Sequence, residues 1–229
     1  MKFLIMGPPG AGKGTQAVML AEQFGISHLS SGDLLRQSVQ EGQELGMKAK
    51  SYMDSGGLVP DEVMIEMILK VVVDLVAKNQ GFLLDGFPRT LDQAQALDEA
   101  FGSRGVKVDR VINLKVEDSV VVARLSGRRV CSECGKIYHI QDLPPIKEGY
   151  CDSHPDMELT IRTDDQEKVV QQRLDVYREN TEPILGYYKK MGVVLDIEGN
   201  HDKKEITQRI VSELANESEA AVESRGQVS

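Results

Sequence analysis

Gly7-Pro8-Pro9-Gly10-Ala11-Gly12-Lys13-Gly14-Thr15 is the stretch on which the reading of this chain turns. It follows a short apolar run, Phe3-Leu4-Ile5-Met6, and precedes Gln16 to Phe24, whose apolar residues recur at helical spacing. Strand, glycine-rich loop and helix, in that order, form the context of a phosphate-binding loop. Glycines let successive backbone N–H groups face an anion, because no Cβ stands in the way. A helix beginning near Lys13 adds its unpaired N–H groups and the positive end of its dipole. Lys13 contributes a mobile full charge that can follow a phosphoryl group. The spacing is G-x-x-x-x-G-K, yet Gly14 stands where a serine or threonine ligand for Mg²⁺ is usual, and Thr15 comes one residue later. The loop is therefore expected to bind a nucleotide without gripping Mg²⁺ through a hydroxyl in that place.

Working outward, the 229 residues suffice for one large α/β core with small insertions. The net charge of −9 argues against a general nucleic-acid surface. No apolar run approaches the ~20 residues that cross a bilayer, and Met1-Lys2-Phe3 leads directly into a strand. The expectation is a cytoplasmic protein with no membrane or nucleic-acid partner.

Further runs alternate in type. Ile26 to Leu29, Phe82 to Leu84, Val111 to Leu114 and Val193 to Ile197 read as strands, with helices between them and a last helix over 204–214. Pro60-Asp61 opens a helix through Val76 whose apolar residues surround most of its circumference, so burial on several sides is expected. Asp164 to Lys190 has continuous helical spacing. Five strands alternating with helices predict a parallel sheet covered on both faces, a three-layer α/β sandwich. Two stretches break the alternation. Residues 30–59 hold two short helices closed by glycines, with Ser30 or Ser31 as a cap, and residues 127–163 have cysteines, paired prolines and few apolar periods. The expected organisation is a core of 1–29, 60–126 and 164–215, insertions at 30–59 and 127–163, and a tail without structure over 216–229.

Three features carry chemistry. Asp85 lies at the carboxyl end of its strand, where open α/β sheets place ligands, and suits Mg²⁺ held through its water shell; a turn residue is the plainer reading. Cys131-x₂-Cys134, then sixteen residues, then Cys151-x₂-His154, offers four ligands for a closed, structural Zn²⁺ site. His139 competes as fourth ligand, but it follows Ile137-Tyr138 and fits a strand better; free thiols of a reducing compartment are the plainer alternative. The arginines Arg36, Arg89, Arg124, Arg128, Arg162 and Arg173 fall at element ends or in the insertions. Any one of them read singly is a solvated surface side chain. Together they suit phosphoryl transfer, which needs two polyphosphates positioned and transition-state charge spread.

The motifs Gly7–Thr15, Ser31-Gly-Asp-Leu-Leu-Arg36, Gly57-Leu58-Val59, Gly81–Arg89, Gly127-Arg-Arg129, Thr163-Asp-Asp165 and Gly186-Tyr-Tyr188 together resemble the adenylate kinases, including the long zinc-type lid of bacterial members. The resemblance runs to about Leu214. It implies Mg²⁺-dependent transfer between ATP and AMP giving two ADP, by a monomer. It implies that Gly10, Ala11, Gly12, Lys13, Gly14 and Thr15 hold ATP phosphates. Ile137 and Tyr138 would lie by the ATP base or ribose, and Gly199 and His201 by its adenine. It implies AMP contacts from Ser31, Arg36, Gly57, Leu58, Val59 and Gln93, and from Gly86, Phe87, Pro88 and Arg89. Arg124, Arg128, Arg162 and Arg173 would clamp phosphates as the lid closes, with Asp164 and Asp165 orienting arginines. Three positions depart from the family pattern: Ser31 for threonine, His154 for cysteine or aspartate, and His201 for lysine. Alternatives of other kinds are a kinase for UMP, CMP or GMP, a slow nucleotide switch, and a zinc-ribbon nucleic-acid binder.

Overall fold

The computed structural model describes residues 1–226. Its central sheet is built from β1 (Lys2–Met6), β2 (Ser27–Ser30), β3 (Phe82–Asp85), β4 (Arg110–Lys115) and β7 (Val194–Glu198) in the order β2-β3-β1-β4-β7. All four pairings are parallel, with Leu4 opposite both Leu84 and Val111. β1, β3 and β4 are near-continuous apolar runs because both their faces are covered, as a parallel sheet requires. Neighbouring residues of one strand feed opposite layers. Leu4, Phe82 and Leu84 pack with Ile68, Leu97, Ile184 and Tyr188, whereas Ile5, Leu83 and Ile112 pack with Leu20 and Ile210. The first layer is α4 (Asp61–Ala77), α5 (Leu91–Gly102) and α8 (Glu182–Lys190); the second is α1 (Lys13–Phe24) and α9 (Lys203–Gly226). The expected three-layer sandwich is the observed fold.

α4 is fully buried along Met64, Ile68 and Val72, and Val63, Ile65, Met67, Leu69, Leu75 and Val76 beside that stripe also pack on the core. It is thus buried on several sides as expected, with the Glu62, Glu66, Lys70 and Asp74 edge left in water. Two expectations need correction. The long helix over 164–190 is divided into a 3₁₀ turn (Thr163–Asp165), α7 (Glu167–Val176), a π-helical turn (Tyr177–Thr181) and α8. Pro183, at the start of α8, has no N–H to continue the ladder, and the preceding turn widens, with Glu182 N–H donating to Tyr177 O. The last helix runs past 214 to Gly226, over residues expected to lack structure. Ile206 and Ile210, with Val211 and Leu214 packed beside them, anchor its start on the sheet. Residues 227–229 of that tail lie outside the described residues.

The two insertions flank the carboxyl ends of the strands. Residues 30–59 form α2 (Ser31–Gln40), capped by Ser30 Oγ accepting from Asp33 N–H at 3.2 Å, and α3 (Glu44–Ser55). Leu35, Ala49 and Val59 join the first core layer, so this flap shares the body's apolar interior. After α6 (Asp118–Ser126), the second insertion begins with a small antiparallel pair, β5 (Arg128–Val130) and β6 (Ile137–His139). Gly127 closes α6 and Arg128 directly begins the strand.

Candidate functional site

The loop after β1 is pressed against β4. At Gly7, φ is +139° and a Cβ would stand 2.6 Å from Leu114 O, so no other residue fits without displacement. Gly12 caps α1 in the left-handed region with no side-chain cap, leaving the first N–H groups of the helix open to an anion. Lys13 Nζ donates to Gly7 O at 2.7 Å and Pro8 O at 2.8 Å. Burial lowers its pKa to about 7; Asp85 opposes this, while Arg89, Arg173 and Arg128 add to it. An ammonium held at that cost is one that an arriving phosphate would stabilise.

A cavity of about 700 Å³ runs from this loop to the flap. The whole loop from Gly10 to Thr15 borders it, as do Ser31, Arg36, Gly57, Leu58 and Val59. Asp85, Gly86, Arg89, Gln93, Arg124, Arg128, Ile137, Tyr138, Arg162, Arg173 and His201 complete the expected residues along its walls. Three expected contacts fall elsewhere: Phe87, Pro88 and Gly199, the last with its carbonyl taken up by Arg124. Phe87 is 1% exposed and belongs to the first core layer, and Pro88 borders a smaller neighbouring cavity with Arg89 and Arg173. An aromatic ring following strand β3 is worth more buried than exposed, so Phe87 packs inward.

The arginines converge on the middle of the cavity with their orienting carboxylates. Asp165, whose side chain is fully buried, accepts from Arg128 Nε at 2.6 Å, from Arg128 Nη2, and from Arg173 Nη1 at 3.1 Å. Arg173 also reaches Asp164 Oδ2 at 3.0 Å and Asp164 O at 2.9 Å. Arg89 Nε donates to Gly86 O at 2.8 Å, an oxygen that also accepts from Ser31 Oγ at 2.7 Å. Thr181, in the π turn, donates to Arg89 O at 2.9 Å, which explains what that irregularity positions. Arg162 Nε is buried without a hydrogen-bond partner among the described residues. Burial, then Arg36 and Arg128, brings the Arg162 pKa down to about 10, against the pull of Asp164 and Asp165. Arg89 is lowered by burial and by Arg173, with Asp85 opposing. Positive charge is thus concentrated beyond what nearby carboxylates neutralise, an arrangement that selects polyanions. Arg36 itself is paired with Asp33. Arg124 ties two loops together, donating to Gly199 O at 2.9 Å and Ala11 O at 3.4 Å.

Some participants were not evident from sequence. Gln93 is 1% exposed; its Nε2 donates to Asp61 Oδ1 at 2.7 Å and its Oε1 accepts from Arg89 N–H at 2.8 Å. Asp61 had read only as a helix start. Gln16, on the buried face of α1, donates to Lys203 O at 2.9 Å and accepts from Thr207 Oγ1 at 2.7 Å, fixing the 200–203 loop at the cavity's edge. A glutamine beside Ala17, Leu20 and Ala21 on one helix face was the available signal. Asp85 lies beside the phosphate loop, with His28 Nε2 3.8 Å from its Oδ2. His201 is exposed and 3.7 Å from Glu205 Oε1.

In the second insertion, donor atoms of Cys131, Cys134, Cys151 and His154 all lie within 4.8 Å of one another. Cys134 and Cys151 Sγ are 3.7 Å apart, and Cys151 Sγ is 3.8 Å from His154 Nδ1. A tetrahedral zinc ion requires S···S of about 3.8 Å and S···N of about 3.6 Å, so the four residues fit it. Burial raises the Cys151 thiol, but hydrogen bonding by Tyr138, His154 and the Ser153 backbone outweighs it and brings the pKa to about 6. His139 stands apart in β6, where its Nδ1 accepts the N–H groups of Gln141 (3.2 Å) and Asp142 (3.0 Å). The strand reading of His139 holds. No helix among the described residues is long and apolar enough to cross a membrane.

A parallel α/β sheet carrying a phosphate loop, with two insertions that meet over an arginine-lined cavity, defines a nucleotide-dependent phosphotransferase of the phosphate-loop class. The family model described as adenylate kinase matches residues 5–193. The chain is 46% identical over 217 residues to the adenylate kinase of Caldicellulosiruptor saccharolyticus, covering 95% of this chain and 100% of that one. It is 49% identical over 207 residues to that of Methanocella arvoryzae (90% and 95% covered) and 50% identical over 202 residues to that of Desulforamulus reducens (88% and 94%). The chain belongs to the adenylate kinase family.

Proposed function

We propose that the chain transfers the γ-phosphoryl group of ATP to AMP, reversibly, giving two ADP, with Mg²⁺ accompanying ATP. One observation carries this beyond family membership: a single cavity joins the phosphate loop to a second anion-selective wall made by Arg36, Arg89 and Arg162. A slow nucleotide switch has no use for the second wall, and a net charge of −9 disfavours a nucleic-acid binder.

In this reading the backbone from Gly10 to Thr15 and Lys13 hold the ATP phosphates with Arg124 beside the loop, and Ile137, Tyr138 and His201 border the nucleoside. Ser31, Arg36, Gly57 to Val59, Gly86, Arg89 and Gln93 hold AMP. Gln93 keeps one amide hydrogen and one carbonyl lone pair for an adenine edge after its contacts with Asp61 and Arg89. Arg128, Arg162 and Arg173 spread the charge of the transferring group. The AMP phosphate is an anion near neutral pH, so no dedicated base is needed, and alignment with charge stabilisation supplies the catalysis. Mg²⁺, when bound, neutralises charge between phosphates; Asp85 would hold it through water. Cys131, Cys134, Cys151 and His154 would hold a zinc ion in a closed set with no open position, and the ion would stabilise the lid's shape. The two insertions exclude water as a competing acceptor. These roles are assigned to a core of 1–29, 60–126 and 164–215, a flap of 30–59 and a lid of 127–163, and one chain carries every group needed, which suits a monomer.

The test is ADP formation from ATP with AMP, UMP, CMP and GMP as acceptors. AMP should exceed the others in kcat/KM, and a preference for another monophosphate would overturn the assignment of the acceptor side.

A further inference from the structure

Tyr138 is the point where the lid's metal cluster meets the nucleotide cavity. Its hydroxyl accepts the Asp152 N–H at 2.8 Å, which directs its own hydrogen to Cys151 Sγ, 3.4 Å away. Its residue is 1% exposed and packs with Cys131, Cys151, Met157 and Leu159 in a separate small core. The hydroxyl end of the ring thus faces the cysteines, while Tyr138 also borders the nucleotide cavity. Along β6 the neighbours on the opposite face are Ile137 and His139, and both border the cavity. His139 pairs in register with Arg128, the residue held by Asp165 at the cavity's centre.

We propose that Tyr138 couples metal occupancy of the lid to binding of the donor nucleotide, acting as a positioning residue. A filled cluster fixes Cys151 Sγ as the acceptor of the Tyr138 hydroxyl, and that bond sets the height and tilt of β6. Ile137, His139 and Arg128 then meet the nucleotide in one arrangement. With the metal absent, the hydroxyl loses a fixed acceptor and β6 its reference point. Outer groups that hydrogen-bond a metal's thiolate ligands tune affinity in this way, and coupling between two sites is reciprocal. The proposal rests on the zinc and ATP assignments above, and the experiment separates it from them.

Zinc affinity of the full-length chain is measured at equilibrium by competition with a chromophoric chelator. The runs contain no nucleotide, AMP, or the Mg²⁺ complex of a non-hydrolysable ATP analogue, corrected for the analogue's own zinc binding. The analogue should tighten zinc about tenfold, within the usual range for such couplings, and AMP alone should leave it unchanged. Zinc removal should weaken the analogue by the same factor. Tyr138→Phe keeps the ring and loses the hydroxyl; it should bind zinc less tightly and show the same zinc affinity with and without analogue. Its kinetics should show a raised KM for ATP with kcat and the KM for AMP little moved. Equal zinc affinity in the wild-type chain with and without analogue, or an undiminished factor in Tyr138→Phe, overturns the coupling. Either result leaves ADP formation from ATP and AMP intact, so it is distinguishable from failure of the functional reading.

Discussion

Lys13 offers a quantitative test through pH. Its pKa falls from 10.5 to about 7, with burial the largest cause. That gap corresponds to about 5 kcal/mol between its charged and neutral forms. With that pKa, Lys13 in the free chain is about nine-tenths neutral at pH 8 and about one-tenth neutral at pH 6. Phosphates arriving at Nζ favour the ammonium, so binding should draw in a proton: about 0.9 at pH 8 and about 0.1 at pH 6. Titration calorimetry of the Mg²⁺–ATP analogue, in buffers of different ionisation enthalpy, counts that proton. Lys13→Met supplies the baseline for every other titrating group. Equal proton counts for wild type and Lys13→Met at pH 8 would refute the reasoning. The same lowered pKa has a stability consequence with a defined sign. Between about 7 and 10.5 the unfolded chain holds a proton at Lys13 that the folded chain lacks. The stability of the unliganded chain through this group therefore rises with pH across that window, and the cost of burying the charge is full below it.

Three further outcomes follow from contacts. Arg89→Ala should lower kcat about 10²–10³-fold while the melting temperature stays near wild type. Arg173 already opposes that buried charge, and the Thr181 bond goes to the Arg89 backbone, which survives; near-normal turnover would remove Arg89 from the mechanism. Asp165→Asn leaves Arg128 without its buried carboxylate and Arg173 with Asp164 alone, and should cost about 3–5 kcal/mol, read as a lowered denaturation midpoint; an unchanged midpoint would show that the pairing is dispensable. Gly46→Ala places a Cβ 2.3 Å from Ser38 C, forcing α2 and α3 apart. A loss of about 1–3 kcal/mol is expected, with KM rising for AMP more than for ATP; equal effects on both substrates would contradict the placing of AMP at the flap.

The sequence by itself determined the layered α/β fold, the phosphate loop and the metal quartet. Those depend on local patterns: continuous apolar runs for strands buried on two faces, glycines and a lysine at fixed spacing, and ligands three positions apart that must share one knuckle. Tertiary structure alone decided the rest. Whether Phe87 faced a substrate or the core depended on what packs over β3, and the direction of the Tyr138 ring depended on where Cys151 and Asp152 were brought. The break before Pro183 was invisible to a periodicity that reads through one turn of altered pitch. Gln16 with Lys203 and Thr207, Gln93 with Asp61, and Arg128 with Asp165 are all partners more than thirty residues apart. Spacing cannot pair residues so far apart in the chain; the sheet brings them together, and the low dielectric of the buried cavity then makes their hydrogen bonds and charges count.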